Sequence, residues 1–166
     1  LNDAAARLAE RALAVPGLLA GAARLESLLR RARRLDVLGR REAERAALDE
    51  AKALAEVDGD PALRARALCA LGWHLIRVAC FAEAESILQA ALALARAARD
   101  KKEEAVATGN LGIVCTALGR SVEAREHHER HLALACEAGD RLGEAAAGGN
   151  LGVVCFDIGR FDEARE

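Results

Sequence analysis

The sequence predicts an all-α protein built as a stack of antiparallel helix pairs. Three observations predict it. Ala and Leu account for 40 and 25 of the 166 residues, and both stand at the head of the helix-propensity ranking. Aromatic residues make up only 2% of the chain, which excludes a β-sandwich, a barrel or a Val/Ile-rich parallel sheet. The third is an internal repeat of 40 residues. Residues 109–126 read GNLGIVCTALGRSVEARE and residues 149–166 read GNLGVVCFDIGRFDEARE, identical at 12 of 18 positions.

The elements follow in order from that period. A first helix near 3–14 ends at Val15-Pro16-Gly17, and residues 1–17 read as a cap or the end of a preceding unit. The first unit, 18–60, carries helix A at 18–38 and helix B at 40–57. It is a worn copy: Leu38-Gly39-Arg40 keeps the phase of Leu118-Gly119-Arg120, but the Glu-Ala that follows is displaced by one residue. The second unit, 61–100, places helix A at 61–78 behind Asp60, a good N-cap, with Pro61 at the first helical position. Its helix B runs over 81–98. The third unit, 101–140, repeats this behind Asp100, with helices at 101–118 and 121–138. Gly119 sits where a left-handed residue ends helix A. The fourth, 141–166, starts behind Asp140 with helix A at 141–158, expected to end at Gly159. It enters helix B at 161 and is incomplete. Such units bury their apolar faces only by stacking on each other.

Composition narrows function. Net charge is −2, so a strongly basic nucleic-acid groove is not expected. No stretch reaches 18 uncharged apolar residues, and the residues from Leu1-Asn2-Asp3 on lack the basic and apolar regions of a signal peptide, so neither a membrane span nor a membrane partner is expected. The chain has no Met and begins with Leu, which points to a piece of a longer protein. Five Cys without a CxxC motif point to a reducing, cytoplasmic setting with free thiols serving as small core residues.

The Leu-Gly pairs in helix A resemble the tetratricopeptide repeat. Leu71-Gly72 with Leu75 and Ala84, Leu111-Gly112 with Cys115 and Ala124, and Leu151-Gly152 with Cys155 and Ala164 carry the resemblance. The Gly-Asn-Leu-Gly strings and Gly139-Asp140 are similar to the 40-residue subclass. That subclass occurs in the Leu-Gly-Asn-rich G-protein-signalling modulators and in bacterial signalling proteins and regulators. The resemblance implies a right-handed superhelical solenoid whose A helices line a concave face. It also implies a scaffold that binds a protein or peptide; an enzyme is not expected, because no catalytic motif supports one. A regulatory or ligand-sensing solenoid within a larger kinase, ATPase or transcription regulator is the alternative. The carboxylate-clamp members place Asn directly after the helix-A Gly. This chain has Trp73, Ile113 and Val153 there, so that clamp is not implied.

Helix A of the third and fourth units is uncharged over 105–118 and 145–156. At 100° per residue, Leu111, Cys115, Thr108 and Gly112 share the arc expected to pack on helix B. Val106, Gly109, Ile113 and Thr116 fall on the opposite, concave arc. Trp73, Ile76, Arg66 and Arg77 hold that arc in the second unit, and Gly149, Val153, Phe156 and Asp157 in the fourth. Asn110 and Asn150 stand at its edge. Two readings of this arc stand: neighbouring A helices cover it, with Trp73 a wedge between units, or it is an apolar peptide groove opened by Gly109 and Gly149, anchored by Trp73 and oriented by Arg66, Arg77 and Asp157. Its binding is expected to be weakly salt-dependent.

The cluster His127-His128-Glu129-Arg130-His131 has His at i, i+4, but no HExxH and no third ligand. His128 and His131 hold the phases of Leu88 and Ala91, so they read as packing residues, and no metal is expected. No phosphate-binding loop or nucleophile motif occurs, and no cofactor is expected. The incomplete fourth unit exposes Val154, Cys155 and Ile158, from which end-to-end self-association is expected.

Overall fold

The computed structural model describes residues 2–15 and 17–157. Eight helices make up the described part, without a strand: α1 (Asn2–Ala14), α2 (Gly21–Val37), α3 (Arg41–Asp58), α4 (Pro61–Arg77), α5 (Phe81–Ala98), α6 (Lys101–Ala117), α7 (Ser121–Ala138) and α8 (Arg141–Asp157). These bounds fall within three residues of those the repeat predicts. The expected turn at Gly159 and the helix from 161 lie outside the described residues.

The helix starts are fixed by aspartate. Asp60 Oδ1 accepts from the Ala62 amide at 2.9 Å, and Asp100 Oδ1 from the Lys102 and Glu103 amides at 3.1 Å. Asp140 Oδ1 accepts from the Leu142 and Gly143 amides. Each bond satisfies amides that have no partner inside the helix. The helix ends are fixed by a left-handed residue every 20 positions. Gly39, Gly59, Gly119 and Gly139 have φ between +65° and +84°, and Ala79 and Arg99 adopt φ of +59° and +56° in the same series. Around Ala79 the amides of Ala79 and Cys80 bond back to the carbonyls of Ile76 and Leu75, which closes the last turn of α4.

Contacts between helices run along the chain, from each helix to the next. Beyond that, α2, α4, α6 and α8 also touch their alternate neighbours, whereas α3, α5 and α7 do not touch one another. The even-numbered helices therefore converge and the odd-numbered ones splay. The stack curves with α2, α4, α6 and α8 on its inner side. No helix of the described residues is long and apolar enough to cross a membrane.

The core lies between the two helices of each pair and the pair that follows. Leu25, Leu28, Leu48, Leu71, Leu75 and Leu88 are fully buried, each contributing about 1.5–3 kcal/mol by leaving water. Ala47, Ala51 and Ala55 line α3, and Ala84, Ala91 and Ala95 line α5, all without exposed surface to speak of, so the helices approach closely. Glycine completes that approach in α4 and α6. A Cβ on Gly72 would lie 2.5 Å from Leu88 Cδ2, and one on Gly112 would lie 2.5 Å from His128 Cε1.

Two departures from the sequence expectation stand out. The thiols are free, but only Cys69, Cys115 and Cys155 are buried. Cys80 is exposed in the turn after α4 and Cys136 on the outer side of α7, so they are not core residues. Glu44 is buried with 2% of its surface exposed, at the phase where Ala84 and Ala124 pack. The one-residue displacement in the worn first unit thus inserts a carboxylate into a core position. Arg41 Nη1 donates to Glu44 Oε2 at 2.8 Å, and His74 Nδ1 lies 3.1 Å from the same oxygen.

Candidate functional site

The inner face of α2, α4 and α6, with Glu44 and Leu48 of α3 at its floor, forms an open cavity of about 370 Å³. Leu29, Ala32, Leu48, Ala70, Cys69 and Val106 form its apolar wall, and the Trp73 ring stands at its side. The cavity exists because residues 32, 69 and 70 are small where three consecutive inner helices meet. Its volume lies within the range of small-ligand and side-chain pockets.

Charged groups frame it. Arg33 comes from α2, Arg66 from α4 and Lys102 from α6, with Asp36, Glu44 and Glu103 among them. Arg66 Nη2 lies 2.6 Å from Glu26 Oε2 and its Nε lies 3.9 Å from Glu103 Oε1. Asp36 accepts from Arg41 and, at 3.4 Å, from the Trp73 indole N–H, with Arg77 Nε at 3.6 Å. Partial burial works against its charged form, yet the Arg41 and Trp73 hydrogen bonds outweigh it and hold Asp36 below the usual carboxylate range. Burial pushes the Glu103 carboxyl up, and the charge of Asp100 adds to the shift. Burial also pushes the Cys69 thiol far up, so Cys69 is an inert wall residue whose Sγ contacts the Glu103 carbonyl at 3.8 Å.

Of the residues expected from sequence, Arg66, Trp73, Val106 and Asn110 line this cavity. Trp73 is 38% exposed. Ile76 is half-buried against the core, and Arg77 reaches back to Asp36. Ile113, Val153 and Phe156 continue along the inner face beyond the cavity, with Val153 52% and Phe156 63% exposed. Gly149 is exposed and the space its Cβ would take is open, while Asn150 is half-buried. Two residues turn out otherwise. Gly109 does not open the groove: it is buried, and a Cβ there would lie 2.7 Å from His131 Nδ1, so it makes room for an imidazole of α7. Thr116 spends its hydroxyl on the Gly112 carbonyl of its own helix at 2.9 Å. The side chain of Asp157 lies outside the described ones.

Arg33, Asp36, Glu44, Lys102 and Glu103 are site residues the sequence reading passed over. The signal was present in the period. Arg33 holds the phase of Trp73, and Asp36 that of Ile76, but only in the worn first unit.

The histidine cluster does not form part of the site. His128, 1% exposed, fills the notch at Gly112, and His131 that at Gly109. Burial and the two neighbouring imidazoles push His128 down to about 4, and burial lowers His127 and His131.

The family profile described as Tetratricopeptide repeat matches residues 63–137 and 103–166. Among solved structures, BtubC (BKLC) from P. vanneervenii is similar at 19% identity and a TM-score of 0.77, over 98% of this chain and 67% of that one. MamA is similar at 22% identity and 0.66, over 99% and 82%. A Podosopora anserina protein with nearly identical TPR-like repeats, described as a kinesin light chain, is similar at 18% identity and 0.76, over 99% and 82%. No curated protein matches the sequence.

Proposed function

The chain belongs to the tetratricopeptide repeat family, and from that premise we propose that it is a protein-interaction module that takes a peptide along the inner face of α2, α4, α6 and α8. The fold commonly mediates protein–protein interactions. The observation that carries the reading is the cavity beside Trp73. It continues through half-buried Ile113 to the exposed Val153 and Phe156. An apolar peptide side chain seated in the cavity anchors the ligand, as aromatic-lined pockets do at interaction hot spots. Asn110, half-buried at the cavity edge, has an amide able to bond a peptide backbone.

The inner and outer faces each carry exposed valines, and this gives the test. Peptides selected from a random 12-residue library are titrated against variants. Val106→Asp and Val153→Asp should weaken binding at least tenfold with unchanged circular dichroism. Val57→Asp and Val122→Asp, on exposed positions of α3 and α7, should leave it unchanged. The reverse pattern would move the binding surface to the outer face and overturn the proposal.

A further inference from the structure

One helix pair is polar inside where the others are apolar. Three phases that hold buried Leu28, Leu48 and Ala51 in the first unit hold buried Leu68, Leu88 and Ala91 in the second. In the third unit the same phases hold Thr108, His128 and His131. Thr108 and His128 are each 1% exposed. The Thr108 hydroxyl and the Nδ1 atoms of His128 and His131 are buried without a hydrogen-bond partner among the described residues. Both rings rest with their Nδ1–Cε1 edge on a glycine of α6. A Cβ on Gly112 would lie 2.7 Å from His128 Nδ1, and one on Gly109 would lie 2.7 Å from His131 Nδ1. The carbonyls of α6 there are used within its own helix, and residues 105–118 carry no charge. A neutral imidazole has an N–H on one nitrogen and an imidazolium has one on both. A protonated ring in either notch therefore aims an Nδ1 donor at helix backbone that has nothing to accept it.

The surrounding charges do not relieve this. Around His128 stand His127 and His131, which oppose a positive charge. Asp140, at the start of α8, favours charge on His131 but does not outweigh burial. His127 has Glu123, Glu126 and Glu85 on one side of the balance and Arg120 on the other. Lys101 pairs with Glu137 and Glu104 with Arg130 at the rim of the α6–α7 contact, and Arg141 pairs with Glu144 within α8. Burial and its neighbours leave His128 at about 4, and burial holds His131 below its ordinary value. The contact before this one responds to acid in the opposite sense. Glu103, buried where α6 meets α4, has its carboxyl pushed up by burial, so protonation favours that contact.

In a stack each unit is held by its neighbours alone, so one joint can open without the rest. Among the described residues α8 is held chiefly by α7. We propose that the α6–α7 joint is an acid-operated hinge: protonation of His128 and His131 releases α7, with α8 behind it, while α1 to α6 remain stacked. Release carries Val153 and Phe156 away from the inner face. On the peptide-binding reading this removes half of the track and makes binding acid-labile; the hinge itself does not depend on that reading.

Two buried thiols test it. Cys115, 1% exposed on α6, clusters with Ala124 of α7 and Val154 of α8, so it reports the joint. Cys69, 3% exposed on α4, is covered by α6 and reports the stack before it. Rates of reaction with 4,4′-dithiodipyridine, assigned by peptide mapping, are measured from pH 7.5 to pH 5. Each is divided by the rate of the urea-unfolded chain at the same pH. An imidazole that titrates at about 4 in the closed joint and at 6.5 in the open one makes opening about thirtyfold more frequent at pH 5 than at pH 7.5, from His128 alone. The normalised Cys115 rate should rise by that factor or more, while that of Cys69 stays within about twofold. In His128→Leu/His131→Ala, which installs the residues α5 has at these phases, the rise should vanish. A Cys115 rate that stays flat overturns the proposal. So does a rise shared by Cys69, which means unfolding of the whole chain, and so does a rise retained in the double variant, which assigns it to carboxylates.

Discussion

Replacing His128 by Leu should make the protein more stable and remove part of its sensitivity to acid. In α5 the residue at the same phase is Leu88, seated on Gly72 as His128 is seated on Gly112. His128 is 1% exposed, and its Nδ1 is buried without a hydrogen-bond partner. Removing such an atom recovers about 1–3 kcal/mol at neutral pH. The pH effect follows from the shift. The imidazole titrates near 6.5 when unfolded and at about 4 when folded. Above pH 6.5 both states are neutral and the full stability is present. As pH falls from 6.5 toward 4 the unfolded chain takes up a proton that the folded chain refuses, and stability is lost. At pH 4.5 the loss is about 2.5 kcal/mol, and below 4 it levels off. Urea unfolding followed by circular dichroism at pH 7.5 and pH 4.5 measures both quantities. Differencing wild type against His128→Leu cancels the carboxylates common to both. The gap between the two proteins should widen by about 2.5 kcal/mol on going to pH 4.5. A gap that stays constant within about 0.5 kcal/mol would refute the reasoning, because it would mean His128 is not held neutral by the fold.

Three further outcomes follow from the helix contacts and ends. Gly72→Ala gains about 1 kcal/mol of helix propensity but drives a Cβ to 2.5 Å from Leu88, at an overpacking cost of about 1–3 kcal/mol. A net loss of stability is expected, with a thermal midpoint lower by a few degrees. In Leu88→Ala that loss should become a gain, so the double-mutant cycle reports the contact. Ala79→Gly should raise stability by about 0.5–1 kcal/mol in urea titrations, because φ of +59° strains an L side chain. Asp100→Ala removes the acceptor of two amides at the start of α6 and should cost about 1 kcal/mol in the same assay.

The helix boundaries were legible because their signals are local. Asp60, Asp100 and Asp140 start helices, and Gly39, Gly119 and Gly139 end them, without help from distant residues. Ala79 and Arg99 carry no such signal, yet the hydrogen bonds on either side hold them in the same conformation. The packing of His128 was legible because the period aligned it with Leu88. Gly109 was misread for a geometric reason. It lies roughly 60° from Gly112 around the helix, at the border of the two arcs. Its neighbour across the interface is the bulky His131, where the preceding unit has Ala91. The cavity was not legible from any one unit. It needs small residues on α2 and α4 and charges on α2, α4 and α6, and the first of these helices belongs to the copy that departs most from the pattern. Glu44 is the same case: a one-residue shift in sequence becomes a buried carboxylate, and only the positions of Arg41 and His74 explain how it is tolerated.

Carbene footprinting with and without a library-selected peptide reads which side chains a bound peptide covers, and so whether the inner face is the binding surface. Protection is expected at Trp73, Val106, Val153 and Phe156 on the inner face, with α3, α5 and α7 unchanged. Protection centred on Val57 and Val122, with Trp73 and Val106 labelled as in the free protein, would contradict it.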